Sequence, residues 1–286
     1  MKMPNNKLSS VQKYVYEKLN DQFSADEKRV LFYQLCEAFI HLKSHQVPIS
    51  QDVTLTESEL LLFIYAVKDL NKNKPIQYIL GHATFCDWEF EVNQNTLIPR
   101  PETEELVHWI CETIEQNDCQ TLLDIGTGSG CIPIATQLYQ PQISVTSIDI
   151  SEEALSMARK NADRLNAKVD FLQMDALSPF SDEFQQSFDI IVSNPPYVTE
   201  SDKQEMHANV LDFEPHLALF VSNESPLIFY QNIIQQAQKL LNKNGFLFFE
   251  INEAYGQELL ELLKEWNNVA LREDFLGKPR MIRAQK

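Results

Sequence analysis

The sequence predicts an α/β protein in which a doubly wound parallel sheet follows a small helical bundle, and three observations carry that expectation. From Thr103 onward, short apolar runs alternate with helical periods. Three of the 7 glycines crowd into Gly126–Gly130, at a strand-to-helix turn. The first 75 residues show helical periods only.

Ser24-Ala-Asp-Glu27 has the spacing of a capping box, and it opens a segment in which Val30, Leu31, Leu35, Phe39 and Leu42 recur at helical intervals. Thr56-Glu-Ser-Glu59 repeats the device before Leu60–Leu70. With Val11–Leu19, these segments predict a helical bundle over 1–75. Pro75 suits the first turn of a short helix ended by Gly81, and Phe85, Trp88, Phe90 and Val92 mix with polar residues as in a β-hairpin closed by Thr96-Leu-Ile98. Residues 76–102 therefore read as a linker carrying a hairpin. The larger domain, 103–286, should hold helices near 103–116, 130–139, 152–165 and 226–241. Its strands are expected at Thr121–Ile125, Ser144–Ile150, Val169–Met174, Phe188–Ser193 and Phe246–Ile251. Ligands of such sheets bind beyond the carboxyl ends of the strands, where every motif discussed next falls.

Composition narrows the function classes. With 44% hydrophobic and 23% charged residues, neither a disordered nor a collagen-like chain fits. The net charge of −17 is lopsided, since 1–75 contains 10 Lys+Arg against 9 Asp+Glu and the remainder 14 against 32. An acidic domain is a poor partner for a phosphate backbone, so direct nucleic-acid binding is not expected. The 5 cysteines include no C-x-x-C pair and read as reduced thiols. Met1–Ser10 lacks the apolar stretch of a secretory leader, and the longest apolar run, Leu60–Val67, is far shorter than a membrane span. The expectation is a cytoplasmic protein.

The glycine cluster reads Asp124-Ile-Gly126-Thr127-Gly128-Ser129-Gly130. A turn without a ligand needs one glycine, whereas three let backbone approach a bound molecule closely. The spacing is neither the dinucleotide G-x-G-x-x-G nor a Walker loop, which requires a following lysine. The run resembles the first motif of class I S-adenosylmethionine-dependent methyltransferases, which implies that S-adenosylmethionine is the cofactor and that the loop packs against it. Asp149 ends the next strand, where a carboxylate can accept both ribose hydroxyls; a helix cap is the other reading, although Ser151 already suits that role. Asp175 and Ala176 stand where that family contacts adenine, with a solvated loop carboxylate as the alternative for Asp175.

Asn194-Pro195-Pro196-Tyr197 follows the strand Phe188–Ser193. Two prolines fix consecutive φ values and remove two donors, so the carbonyls there face outward. The tetrapeptide is similar to the N-P-P-Y signature of methyltransferases acting on nitrogens conjugated to π systems. Asn194 and the Pro195 carbonyl would hold such a nitrogen, with catalysis by positioning, and Asn194 would also touch the cofactor. Tyr197 would pack on the planar group, or form a wall without chemistry.

Pro75-Ile-Gln-Tyr-Ile-Leu-Gly81, Leu97-Ile-Pro-Arg-Pro-Glu-Thr103 and Phe213-Glu-Pro215 resemble the HemK-type release factor glutamine methyltransferases, in matching order from about residue 75 onward. The resemblance implies a Rossmann-like class I methyltransferase domain behind an N-terminal helical domain that helps dock the partner. It also implies N5 methylation of the glutamine in the Gly-Gly-Gln loop of class I peptide chain release factors. Arg100 and Glu102 would shape the substrate mouth, with Glu214 read in the same way, a local ion pair or helix start being the other reading. Ala176 departs from the family's frequent aromatic, leaving adenine stacking there unsupplied. The alternative substrate class is nucleic acid, methylated at adenine N6 or guanine N2. His207 and His216 read as solvated loop histidines.

Overall fold

The computed structural model of the chain describes residues 5–180, 187–206 and 208–286. Two compact units result, Met1–Gly81 with His207–Phe213, and His82–Met206 with Glu214–Lys286. In the first, α1 (Leu8–Lys18), α2 (Ala25–Ile40) and α3 (Glu57–Leu70) close around Leu8, Val15, Phe32, Leu35 and Phe63, all fully buried. Both capping boxes form. Ser24 and Thr56 hydroxyls accept from the Glu27 and Glu59 N–H groups at 3.3 and 3.2 Å, and each glutamate accepts its cap's N–H at 2.7 Å. Val30, grouped with the core by spacing, instead lies 52% exposed. The short α4 (Ile76–Leu80) ends at Gly81 in the left-handed region.

In the second unit, β1 (His82–Phe85) and β2 (Trp88–Glu91) form the expected hairpin. Next in chain order come α5 (Pro101–Asn117), β3 (Thr121–Ile125), α6 (Cys131–Tyr139), β4 (Ser144–Asp149), α7 (Glu152–Leu165), β5 (Val169–Gln173) and β6 (Phe188–Ser193). The rest comprises β7 (Val198–Thr199), then α8 (Ala208–Phe213), which belongs to the first unit, and, back in the second, α9 (His216–Leu219), β8 (Phe220–Val221), α10 (Ile228–Leu240), β9 (Leu241–Glu250), α11 (Gly256–Leu262), β10 (Asn267–Glu273) and β11 (Pro279–Gln285). The hairpin is fastened to α7 by buried Asn161, which accepts from the Glu91 N–H at 2.7 Å and donates to the carbonyls of Glu91 and Ser129, both at 2.9 Å.

Seven strands make one sheet in the order β10-β11-β9-β6-β3-β4-β5. The five expected strands are parallel. The sheet is mixed, however, because β11 runs antiparallel between β9 and β10. No apolar run announces β10, an edge strand whose residues are all exposed or half-buried. Alternate side chains serve two cores. Leu122, Ile190, Val192 and Phe248 meet α5 and α6 on one face, while Leu123, Ile191, Leu247 and Phe249 meet α10 and α11 on the other. β3 lies at the point where strand order reverses, which opens a crevice between its carboxyl end and those of β4 and β6.

Asp189 knots the opposite, amino-terminal ends of β6 and β3. Its carboxylate accepts from the Gln120 and Thr121 N–H groups at 2.9 and 3.1 Å, from the Thr121 hydroxyl at 3.0 Å and from Asn242 at 2.8 Å. Burial works to raise its pKa, but these hydrogen bonds outweigh it and hold the carboxyl below the usual aspartate range. Asp189→Ala is expected to remove about 2 kcal/mol of stability at neutral pH, measured by urea unfolding. Because the folded pKa is depressed, that contribution is complete above the ordinary aspartate pKa and fades as pH falls through the folded one, so the gap between variant and parent should narrow on acidification.

Candidate active site

The Gly126–Gly130 loop leaves β3 and turns directly into α6. Its N–H groups are consumed internally: Gly126 and Thr127 donate to the Ile148 carbonyl at 2.8 and 3.2 Å, Gly130 to Thr127 at 2.8 Å, and Gly128 to Asp149 Oδ2 at 2.9 Å. Phosphate-binding loops turn such groups toward the anion. Here these four are engaged, and a carboxylate stands beside them, so the loop suits a nucleoside ligand without a phosphate.

Asp149 is the pin of this arrangement, since its other oxygen accepts from the Ser151 N–H at 2.9 Å. Ser151 itself caps α7 by accepting from Ala154 at 3.1 Å, leaving the helix-cap role filled without the aspartate. Burial raises the Asp149 pKa against these backbone hydrogen bonds. Each of its oxygens retains a lone pair for a ligand hydroxyl. Behind it, fully buried Asp124 accepts from the Ser147 hydroxyl at 2.6 Å, and burial pushes its pKa up to about 7 against that bond. The Thr127 hydroxyl tempers the shift at a geometry short of a formed hydrogen bond, so Thr127 Oγ1 and Asp124 Oδ1 remain buried and unsatisfied.

A cavity of about 340 Å³ opens beyond the loop. Gly126, Thr127, Gly128, Ser129, Asp149, Asp175 and Ala176 line it, as do Asn194, Pro195, Pro196 and Arg100. A Cβ on Gly128, whose φ is +54°, would meet no atom within 4 Å and would point into open space. Gly130 stands apart from the cavity. Its Cβ would come within 2.7 Å of Ile134 Cδ1 and 3.1 Å of Ala158 Cβ, so its glycine is demanded by the packing of α6 on α7. Asp175 folds back on its own loop, accepting from the Leu177 N–H at 2.9 Å and the Ser178 hydroxyl at 3.2 Å. Beside Ala176, the aromatic surface in the lining comes from Phe229 on α10, a residue that the sequence did not single out.

Ser193 ends β6 and ties it to β3 by donating to the Ile125 carbonyl at 2.7 Å. Asn194 follows, half-buried, and its side-chain amide makes no hydrogen bond among the described residues. Tyr197 does not line the cavity but turns away to donate to Glu250 Oε1 at 3.3 Å, and burial raises its pKa. Glu214 is also off the cavity wall. Its side chain is 1% exposed and grips Arg100 at 2.6 Å while accepting from the Ile98 N–H at 3.2 Å, so Arg100 and Glu214 are each other's partners across 114 residues. His216 meets Phe220 edge-on at 5.2 Å, and His207 lies outside the described residues.

The reversed strand order, the phosphate-free glycine loop and the open Asn-Pro-Pro edge together define a class I S-adenosylmethionine-dependent methyltransferase. The methyltransferase small domain family matches residues 107–213. The chain is 46% identical over 265 residues to the release factor glutamine methyltransferase of Flavobacterium psychrophilum, across 90% of this chain and 92% of that one. It is 43% identical over 282 residues to that of Bacteroides thetaiotaomicron, across 98% and 100%. Among solved structures, a METTL16 methyltransferase domain shares the fold with a TM-score of 0.54 at 19% identity, over 77% of this chain and 97% of that one. The chain belongs to the release factor glutamine methyltransferase family.

S-adenosylmethionine is the cofactor of this class, and open space beside Gly126 and Gly128, the free lone pairs of Asp149 and the apolar wall of Met174, Ala176 and Phe229 fit it. Gly128→Val is expected to weaken S-adenosylmethionine binding by about tenfold or more, read by calorimetry, by filling that space; a left-handed φ adds roughly 1–2 kcal/mol of strain to the fold. Undiminished binding in a folded variant would contradict the placement.

Proposed function

We propose that this enzyme transfers the methyl group of S-adenosylmethionine to N5 of the glutamine in the Gly-Gly-Gln loop of class I peptide chain release factors. The names of its relatives support the release factor and the glutamine, and the observation that carries the chemistry is the unengaged amide of Asn194 at the cavity edge. When bound, S-adenosylmethionine supplies an electrophilic methyl group. An amide nitrogen is a weak nucleophile because its lone pair is delocalised, so the protein's task is placement. In this reading Asn194 Oδ1 and the Pro195 carbonyl each accept one N–H of the substrate amide and leave its face open. As the nitrogen turns acidic, its proton passes from these acceptors to water, without a dedicated base. Pro196 borders the planar group, Tyr197 stays behind the turn on Glu250, and Arg100, held by Glu214, shapes the mouth.

Gly126, Thr127, Gly128, Ser129, Asp149, Asp175 and Ala176 bind the cofactor in the same reading, and the helical unit 1–75 docks the release factor. Methylation of adenine N6 or guanine N2 is less favoured, because a domain with 14 Lys+Arg against 32 Asp+Glu is repelled by nucleic acid. No helix among the described residues is long and apolar enough to cross a membrane. A partner that works in translation supports a cytoplasmic location.

Labelled methyl transfer from S-adenosylmethionine to purified release factor tests this function, run beside a Gln→Ala variant of the Gly-Gly-Gln loop and a DNA control. Label on the wild-type factor alone is expected. Label on the variant, or on DNA, would overturn the assignment.

A further inference from the structure

Glu250 is a carboxylate where the sequence offers none by pattern: it ends the apolar run of β9 and is 1% exposed. Burial raises its pKa, opposed by Thr103, by the charge of Arg280 and by Tyr197, while Glu102 adds to the rise. Arg280 is not dedicated to it, being held by Asp274 at 3.3 Å and Glu253 at 3.7 Å. An apolar side chain of similar volume would fill this position without burying a charge. What such a residue could not do is accept hydrogen bonds from two directions.

Those two bonds join opposite sides of the site. Glu250 Oε2 accepts from the Thr103 hydroxyl at 2.6 Å, and Thr103 lies in the first turn of α5 and lines the cavity. Glu250 Oε1 accepts from Tyr197, the last residue of the Asn-Pro-Pro-Tyr turn. The same strand end reaches Tyr197 again, for Asn252 Nδ2 lies 3.5 Å from the Tyr197 carbonyl. The Tyr230 hydroxyl secures the Glu250 backbone carbonyl at 3.1 Å. Register explains the proximity, because Ser193 pairs with Phe249, so Asn194, just past the end of β6, emerges beside Glu250, the last residue of β9. Two prolines stiffen the chain between Asn194 and Tyr197, so an anchor on Tyr197 fixes the direction of Asn194.

We propose that Glu250 is a positioning residue for methyl transfer, setting the angle of the Asn194–Tyr197 turn through Tyr197 and joining it to the α5 wall through Thr103. The proposal rests on the amide-methylation reading given above. It assigns Glu250 no contact with substrate and no proton to transfer.

The test compares the wild type with Glu250→Met and Glu250→Gln in the full-length enzyme. Glu250→Met should keep its melting temperature and its S-adenosylmethionine affinity, yet lose about tenfold to a hundredfold in kcat with KM for release factor little changed. Glu250→Gln, which retains one acceptor, should recover part of that loss. Adding Tyr197→Phe to Glu250→Met should cost little more than either change alone, because both break one contact. A structural role would instead lower stability and activity together, and a kcat within about twofold of wild type in Glu250→Met would overturn the proposal. Fluorotyrosine NMR supplies an arm that needs no turnover, with the Tyr197 signal assigned by its loss in Tyr197→Phe. That signal should shift or broaden in Glu250→Met, and an unchanged one would overturn the positioning role. A wild type inactive on release factor, with the signal still moved in the variant, would remove the substrate assignment and leave the positioning role standing.

Discussion

The register of three parallel strands sets the whole site. Ile125 pairs with Ile148 on one side and with Ser193 on the other, so Gly126, Asp149 and Asn194 stand at three neighbouring strand ends. The alignment continues outward, because Asp149 pairs with Gln173, just before Met174 and Asp175, and Ser193 with Phe249, just before Glu250. Residues that lie more than a hundred positions apart in the chain are thereby brought to one line across the sheet. A slip of one residue in β3 would turn its apolar side chains to the wrong core as well as misplace the loop, so the packing of Leu122 and Leu123 against opposite helical layers protects the site geometry.

Electrostatics then select what this line of loops can hold. Four of the loop N–H groups are spent on Ile148, Thr127 and Asp149, and the Asp149 carboxylate lines the cavity where a phosphate-binding loop would offer donors. An anionic nucleotide is disfavoured there, whereas a ribose with free hydroxyls and a cationic sulfonium centre are not. Farther along the cavity, the rigid Asn-Pro-Pro edge adds the Asn194 amide, and its two prolines bring no backbone N–H. In the proposed function the site divides into a half that binds a nucleoside and a half that orients an amide.

Much of this was legible in the sequence, for physical reasons that separate the readable from the unreadable. The glycine cluster, Asp149 and Asn194-Pro-Pro-Tyr197 announce themselves because each motif is local and its spacing is fixed by one turn. The capping boxes were readable for the same reason. The role of Gly130 was not, since its contact with Ala158 depends on how α6 crosses α7. The pairing of Arg100 with Glu214 and of Glu250 with Thr103 and Tyr197 depends on tertiary closure, as does the insertion of β11 between β9 and β10. Glu250 shows in the sequence only as a single carboxylate after Phe246-Leu-Phe-Phe249, with nothing local to set its partners.

In the proposed function Asn194 acts chiefly on the substrate amide and only secondarily on the stability of the fold or the binding of the cofactor. Asn194→Ala, assayed by single-turnover methyl transfer to release factor and by S-adenosylmethionine calorimetry on the same preparation, separates these possibilities. The account predicts a loss of transfer of about a hundredfold or more with cofactor affinity largely retained. Near-normal transfer, or a loss that follows cofactor affinity step for step, would contradict it.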